Sequence, residues 1–547
     1  MSDAQQTTGK SFGSMDSIAG AGVQGGGSSL RRRDFLMRTL AIGGSGLMLA
    51  TMKAWGVDLA SVRTSPPRLS GSGRGKRVVI LGAGLAGMTA AYELSKLGYQ
   101  CEIIEARGFA GGRCQTARRG FELTELGGER QVCNFDEGQY INHGPWRIPF
   151  CQQSTLHYTR EFGVALELFN NDNDAAYVYK ENIDGPLAGK RLRQFEIKAD
   201  MRGYTDELFA KTLRAGKLND QISEGDKALL LDYLVHEGYL NKKDLDYKGT
   251  SARGYKTYPG VQAGELTDPL QFGDLLKSKL GNIYRSANDI EQQKTMLQAV
   301  GGMDHVAKAF EARTKKMIRY NTEVVSLRNS DSGVELQCKD TRTGAARTVK
   351  GDFCLCTIPL SVLKQIDTDF SDGFKDAMQV AYEPVGKLGV QMKRRFWEED
   401  HFIYGGHIQT DIKGATLISL PSTNWQGKKG TLLSYYNFGA TAAQISAMSQ
   451  KERTEFGLAA GEKVFPGQYR DSAESSFSVA WHRVKYNLGG WADWSEAGRR
   501  TAYPRLLKGE GRTLLAGEHM SHLNGWQAGA IESAWYQIEQ LHARLSA

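Results

Sequence analysis

Three glycines and one acid carry the first recognisable chemistry of this chain. Gly82, Gly84 and Gly87 stand in the spacing GxGxxG, and Glu105 follows Gly87 by 18 residues. The first glycine of such a set permits a tight turn and the second lets backbone approach a pyrophosphate. The third lets a helix pack closely on a strand. The helix that begins there points its N-terminus at phosphate charge. Glu105 can accept hydrogen bonds from both hydroxyls of a ribose, and it would repel a 2′-phosphate, which argues against NADP. These roles require a strand, a helix and a second strand around the glycines. Residues 78–81 form a short apolar run suited to a buried parallel strand, 85–97 carry apolar residues at helical spacing, and 101–104 supply the second strand. A dinucleotide-binding unit is therefore predicted.

The chain around this unit has 547 residues, enough for two or three domains with sizeable cores. Its net charge of +8 is modest for that length, and Lys and Arg are scattered rather than gathered on one periodic face. That pattern describes a solvated basic surface and argues against nucleic-acid binding. Residues 1–29 are rich in Gly, Ser and Gln and cannot bury enough surface to fold. Arg31, Arg32 and Arg33 then precede Asp34, Phe35 and Leu36, which resembles a twin-arginine export motif. The mildly apolar stretch at 39–57 is too short and Gly-rich for a firm membrane span. No A-x-A cleavage pattern stands out at 50–60, so the segment could stay attached as an anchor. Residues 61–75, with Pro66 and Pro67, are a linker. An exported, periplasmic or secreted protein is expected.

Seven cysteines lie between Cys101 and Cys356, with no CxxC. Cys354 and Cys356 are two apart in a strand and share a face, which points to buried packing and few or no structural disulfides. His519 and His522 have the spacing of a metal pair but no third ligand in view, so no metal site is expected. Along the chain, 155–169 and 203–239 look helical. Residues 323–327, 334–339 and 353–357 look like strands, as do 385–393, 415–420, 430–437 and 511–517, and a last helix follows at 528–545. Strands alternating with helices favour an α/β architecture.

Further motifs make the chain resemble the flavin amine oxidases, and within them the L-amino acid oxidase branch. They are GGR at 111–113, QAVGGMDHVAKAF, CTIPLSVL and LLAGEHMSHLNGWQAGAIESAW, in the family's order across nearly all of 76–547. The resemblance implies an α/β fold with a discontinuous Rossmann-like FAD-binding domain (76–150, 298–366 and 505–547). To this it adds a mainly helical domain at 151–297 and a mixed-sheet substrate domain at 367–504, all after a signal region at 1–60. It implies FAD held by Gly82, Gly84, Gly87, Glu105, Gly112, Arg113, Gly144, Pro145, Trp146, Val324, Gly517, Glu518 and Trp526. Covalently flavinylated members use a cysteine near the C-terminus, and none lies beyond Cys356, so FAD is expected to be non-covalent.

Three matches concern the substrate. HGPWRIP resembles the segment that carries a carboxylate-binding arginine, here Arg147, whose planar guanidinium can hold a carboxylate through two parallel hydrogen bonds. Family members often have a small residue or methionine where Trp146 stands, a departure that bears on the flavin edge or the pocket width. Lys387, nine residues before Phe396, has the spacing of the family's lysine that holds a water near flavin N5. Gly525 and Trp526 match a carbonyl that binds the amine and one wall of an aromatic cage. Tyr436, or its neighbour Tyr435, supplies the opposite wall, since alternation lets only one of them face the pocket. The implied reaction is hydride transfer from an amino acid α-carbon to flavin N5 and reoxidation by O2, giving 2-oxo acid, ammonia and hydrogen peroxide. A monoamine or polyamine oxidase and a decarboxylating monooxygenase of the tryptophan monooxygenase type are the alternatives. A homodimer and the twin-arginine machinery are the expected partners.

Overall fold

The computed structural model describes residues 62–282 and 290–546. The export motif at 31–37 and the stretch at 39–57 lie outside the described residues. Among the described residues no helix is long and apolar enough to cross a membrane. Two compact units are distinguished by their internal contacts. One comprises Leu59–Ala210 and Leu234–Ala547, and the other includes Lys211–Tyr233.

In the larger unit, RVVIL at Arg77–Leu81 becomes the central strand of a five-stranded parallel sheet. The order is Ile318–Arg319, Gln100–Ile104, Arg77–Leu81, Phe353–Cys356 and Thr513–Leu515, so separated stretches of chain meet in one sheet. A parallel strand is covered on both faces, which is why it is apolar at nearly every position. Val78 and Ile80 enter a core with Leu85 and Met88 of helix Leu85–Lys96, Val306 and Phe310 of helix Asp304–Thr314, and Trp535 of helix Gln527–Ser546. Val79 and Leu81 face the other way, against Val324, Leu336, Leu360 and Leu506. Each such aliphatic side chain contributes about 1.5–3 kcal/mol by leaving water. Cys354 and Cys356 lie in that second core, and all seven cysteines are free thiols. Burial pushes the Cys356 thiol up to about 12, so it is inert packing rather than a nucleophile.

A second, seven-stranded mixed sheet runs in the order Ala473–Ala480, Val385–Met392, Gly430–Phe438, Leu417–Leu420, Gly406–Thr410, Tyr177–Tyr179 and Arg191–Arg193. Both faces are packed, one with Val385, Leu433, Phe477 and Val479 against Ile141 and Phe135, but only that face also carries a lysine. Leu388, Val390, Met392, Leu432 and Tyr435 pack into one core with Ile408 and Ile418. On the opposite face Lys387 pairs in register with Tyr436, and a Cβ on Gly389 would stand 2.8 Å from Ile141. A four-stranded sheet, Ala346–Gly351, Val334–Asp340, Thr322–Asn329 and Asp367–Thr368, carries Val324.

One expected helix is shorter than its sequence suggests. Helix Gln153–Phe162 stops at Gly163, whose φ of 70° caps it in the left-handed region. Leu166–Asn170, expected to continue the helix, is instead a strand paired antiparallel with Thr295–Ala299. The stretch at 203–239 divides between helices Gln194–Arg214 and Glu224–Glu237.

Candidate active site

The glycine turns are tied together by close approach. Gly82 has φ +98°, and a Cβ on Gly87 would lie 2.1 Å from the Gly82 carbonyl oxygen, so helix Leu85–Lys96 seats directly on the turn. Gly84 has only Gly112 Cα within 4 Å of such an atom, and a Cβ on Gly112 would lie 3.1 Å from Gly84 Cα. The two turns therefore face each other with no side chain between them. Glu105, buried at the end of the second parallel strand, accepts hydrogen bonds from Ala83 N–H (2.9 Å), Arg107 N–H (3.0 Å) and Arg107 Nε (3.2 Å). Its own N–H and carbonyl bond Arg319 and Thr322, which brings Val324 to the same end.

Next along the site, Arg113 donates from Nη1 to the Gly490 carbonyl (2.6 Å) and Glu518 Oε1 (2.8 Å). Glu518 also accepts from Ala492 N–H (3.2 Å) and, through Oε2, Gly525 N–H (3.5 Å). One carboxylate thus joins three segments far apart in sequence. Gly517 has φ +130° and donates its N–H to Ser533 Oγ (2.8 Å). His519 is fully buried, with both ring nitrogens lacking a partner, and burial, then the charge of Arg113, lowers it to about 3. His522 is exposed and rests on Tyr503, so the two histidines do not converge. Segment 143–147 passes beneath this turn, and a Cβ on Gly144 would stand 2.0 Å from the Arg113 carbonyl oxygen.

The far end of the site is a ring of aromatic side chains with two basic side chains, Arg147 and Lys387. Lys387, buried, donates from Nζ to the carbonyls of Gly144 (2.6 Å) and Asn142 (3.2 Å). Nζ lies 4.5 Å from the Tyr436 ring centre and 5.3 Å from that of Trp146. Burial, then the charge of Arg147, lowers the Lys387 ammonium well below its ordinary range, which favours the neutral amine. Pro145 links Gly144, whose carbonyl takes this bond, to Trp146. Arg147 stacks 4.9 Å from Trp146 and 5.9 Å from Trp526. It donates to Gln292 Oε1 (2.7 Å), and its Nε is buried without a partner. Burial lowers Arg147 to about 10, an effect Tyr436 opposes, and it remains cationic at neutral pH. Trp146 meets Tyr436 edge to face at 5.6 Å and stacks on His407 at 5.0 Å.

Of the two tyrosines, Tyr436 faces Lys387, while Tyr435 is buried in the core on the opposite face of the sheet, beside Phe456. Several residues here carry no motif in the sequence. Trp491 packs against Gly525, 3.2 Å from where its Cβ would be, and lies 5.6 Å from Phe438, which lies 4.4 Å from Tyr436. The adjacent Gly489-Gly490 pair, with Gly489 at φ +146°, is the only local signal for Trp491. Gln292 and His407 have none. The structure thus gathers Arg147, Lys387, Tyr436, Gly525 and Trp526 at one end. Gly82, Gly84, Gly87, Glu105 and Val324 stand at the other, with Gly112, Arg113, Gly517 and Glu518 between them.

Comparison with known proteins shows the family of the chain. The sequence profile of the family described as flavin containing amine oxidoreductase matches residues 85–537. The chain belongs to that family. The L-amino-acid oxidase of Siganus canaliculatus is 25% identical over 491 residues, spanning 87% of this chain and 86% of its own. That of Protobothrops flavoviridis is 25% identical over 484 residues, spanning 84% and 87%. Cyclohexylamine oxidase from Brevibacterium oxydans IH-35A shares the fold, with a TM-score of 0.58 at 14% identity over 86% of this chain and 100% of that one.

The residues of this amine oxidoreductase fit a flavin dinucleotide on physical grounds. Gly87 and Gly112 admit no side chain, which leaves backbone N–H groups as the surface of the cradle. Helices Leu85–Lys96 and Gln527–Ser546 both begin at the site without an acidic residue in the first turn, so nothing there opposes an anion.

Proposed function

We propose that this amine oxidoreductase is an FAD-dependent L-amino acid oxidase that holds its flavin non-covalently. The observation that carries this reading is Arg147. Among the described residues it has one neutral partner, Gln292, and no carboxylate, although it is enclosed by Trp146 and Trp526. A partly desolvated guanidinium with unfilled donors costs free energy unless a carboxylate completes it, and an α-carboxylate is the group that tells an amino acid from a simple amine.

In this reading Arg147 clamps the substrate carboxylate in two parallel hydrogen bonds. The Gly525 carbonyl accepts a hydrogen bond from the amine, and Trp526 and Tyr436 close the slot against water. The amine reacts as the free base, because an ammonium has no lone pair to stabilise a developing iminium. Lys387, kept near neutrality by burial and anchored by the Gly144 and Asn142 carbonyls, holds a water molecule and can take or release a proton. When bound, FAD supplies the acceptor for the α-hydrogen and its electron pair and passes the electrons to O2. The overall products are a 2-oxo acid, ammonia and hydrogen peroxide. Glu105, Val324 and the glycine turns would hold the adenosine and pyrophosphate, and Arg113 and Glu518 the ribityl side. The reading extends to export by the twin-arginine pathway, from Arg31-Arg32 before Phe35-Leu36, and to a homodimer.

Arg147→Met tests it directly. Removing a charge-assisted clamp should raise KM for L-amino acids by roughly 10- to 150-fold, with flavin content unchanged. An unchanged KM would favour a monoamine or polyamine oxidase. Carbon dioxide and an amide among the products would favour a monooxygenase.

A further inference from the structure

The aromatic ring around the slot has a second charged pole. From Arg147 it runs through Trp526 and Gly525 to Trp491, on to Phe438 and Tyr436, and back through Trp146. Glu383 stands against the Trp491–Phe438 side. Its N–H donates to the Trp491 carbonyl (2.9 Å), and its own carbonyl accepts from Gly490 N–H (2.9 Å). Its carboxylate lies beside Gly439, the residue after Phe438, with Oε1 3.5 Å from where a Cβ on Gly439 would be. Asp493 is nearby, on the strand pair Ala381–Tyr382 with Ala492–Asp493.

No described Lys or Arg forms an ion pair with Glu383, in contrast to several acids between residues 170 and 200. There Asp200 is taken by Arg253, and Asp172 and Asp174 by Lys198 and Lys294. Burial, then the charge of Asp493, raises the Glu383 carboxyl and a hydrogen bond from the Gly439 backbone opposes this, so the carboxylate has a neutral partner but lacks a counter-charge that a ligand could bring. Tyr436 feels both poles. Burial raises its hydroxyl to about 12, Arg147 opposes this and Glu383 adds to it, so both charges lie within electrostatic reach of the ring. Phe438 is 39% exposed, so this side of the ring is the rim, where a long side chain can keep part of its hydration. The buried, unpartnered Nε of Arg147 marks the opposite pole as the place for an anion.

We propose that Glu383 is the specificity-determining residue for the substrate side chain, and that the preferred substrates are L-amino acids with a cationic side chain, such as arginine, lysine or ornithine. The inference rests on the amino-acid-oxidase reading, which supplies the carboxylate at Arg147. The substrate then lies across the slot with its carboxylate on Arg147, its stem between Tyr436, Phe438 and Trp491, and its terminal cation at Glu383. Aromatic faces along that path favour a cation further. Asp493 adds long-range attraction at the rim.

Binding to the holoenzyme under anaerobic conditions tests this with 6-aminohexanoate and hexanoate, followed by titration calorimetry. The first carries a carboxylate and a distant ammonium but no α-amine, and the second lacks the ammonium. The wild type should bind 6-aminohexanoate roughly 10- to 100-fold more tightly. That ratio should fall towards one in Glu383→Gln and recover in part in Glu383→Asp. The kcat/KM ratio of L-arginine over L-citrulline should follow the same course. A wild-type ratio near one in either comparison, or a ratio that Glu383→Gln leaves intact, overturns the proposal. If Glu383→Gln does not fold, the wild-type ratios decide alone. Failure of the underlying reading looks different: agmatine and cadaverine would be oxidised better than arginine and lysine, and hexanoate would not compete with substrate.

Discussion

The glycine cradle and the aromatic slot lie in one unit and are built by opposite means. In the cradle every charge has partners within the chain. Glu105 is filled by Ala83 and Arg107, and Glu518 by Arg113, Ala492 and Gly525. In the slot the charges are under-filled. Arg147 has one neutral partner, Lys387 has only carbonyls, and Glu383 has no described cation. Neutralised charges stiffen a surface that backbone alone must present to phosphates. Charges left wanting are tolerable only where packing from several elements holds them, and they are what a substrate can satisfy. The cradle is therefore where substitutions should act through the fold, and the slot where they should act through KM.

The harshest way to break that contrast is Gly87→Val. Its Cβ would meet the Gly82 carbonyl oxygen at 2.1 Å, which is backbone and cannot swing aside. The expected outcome is loss of folded protein, a cost of at least about 3 kcal/mol. Soluble yield and visible flavin absorbance measure it, and a folded, flavin-loaded Gly87→Val protein would refute the packing described for the cradle.

Acid should act on both regions alike. His519 in the cradle and His407 in the slot are each lowered to about 3, chiefly by burial. Their folded values lie below the unfolded value near 6.5, so between those limits the unfolded chain binds protons that the folded chain refuses. Stability is then lost as pH falls, by about 2 kcal/mol from each histidine at pH 5. Urea midpoints at pH 7 and pH 5 report the loss. His407→Gln should shrink the pH-dependent part by one histidine's share while leaving the remainder. An equal pH slope in wild type and variant would mean that His407 takes up a proton in the folded protein.

The same contrast governs how much could be foreseen from the sequence. GxGxxG and Glu105 act through geometry contained in one β-α-β passage, so spacing alone exposes them. Four of the five strands of the parallel sheet and three of the seven in the mixed sheet follow from equally local apolar patterning, whereas Ile318–Arg319, Ala473–Ala480, Gly406–Thr410, Tyr177–Tyr179 and Arg191–Arg193 were not foreseen. The helix expected at 155–169 fails because Gly163 ends it and because the partner of Leu166–Asn170 is Thr295–Ala299, more than a hundred residues on. The slot has the same difficulty throughout. Arg147 and Lys387 were identifiable through family resemblance, yet nothing near them in sequence announces Gln292, Trp491, His407 or Glu383. His519 likewise stands in a motif that does not reveal that its ring is buried with both nitrogens unpartnered. Burial of a polar side chain depends on what covers it, which spacing does not record.

The smallest predicted effect separates the two faces of one strand. Tyr435 and Tyr436 are neighbours, and strand alternation sends Tyr435 into the core with Phe456 and Tyr436 against Lys387 and Trp146. Removing each hydroxyl in turn leaves the ring in place, so packing is nearly conserved and only a polar atom is lost. Tyr435→Phe should change stability by about 1 kcal/mol, the worth of its hydrogen bond with Ser478, and leave KM for amino acids unaltered. Tyr436→Phe should do the reverse, with little change in unfolding midpoint and a KM a few-fold higher, because its hydroxyl feels the charges of both Arg147 and Glu383 and its ring faces Lys387 and Trp146 at the proposed substrate slot. Thermal melts and steady-state kinetics on the pair decide it. If both variants lost stability and neither changed KM, Tyr436 would serve packing alone, like Tyr435.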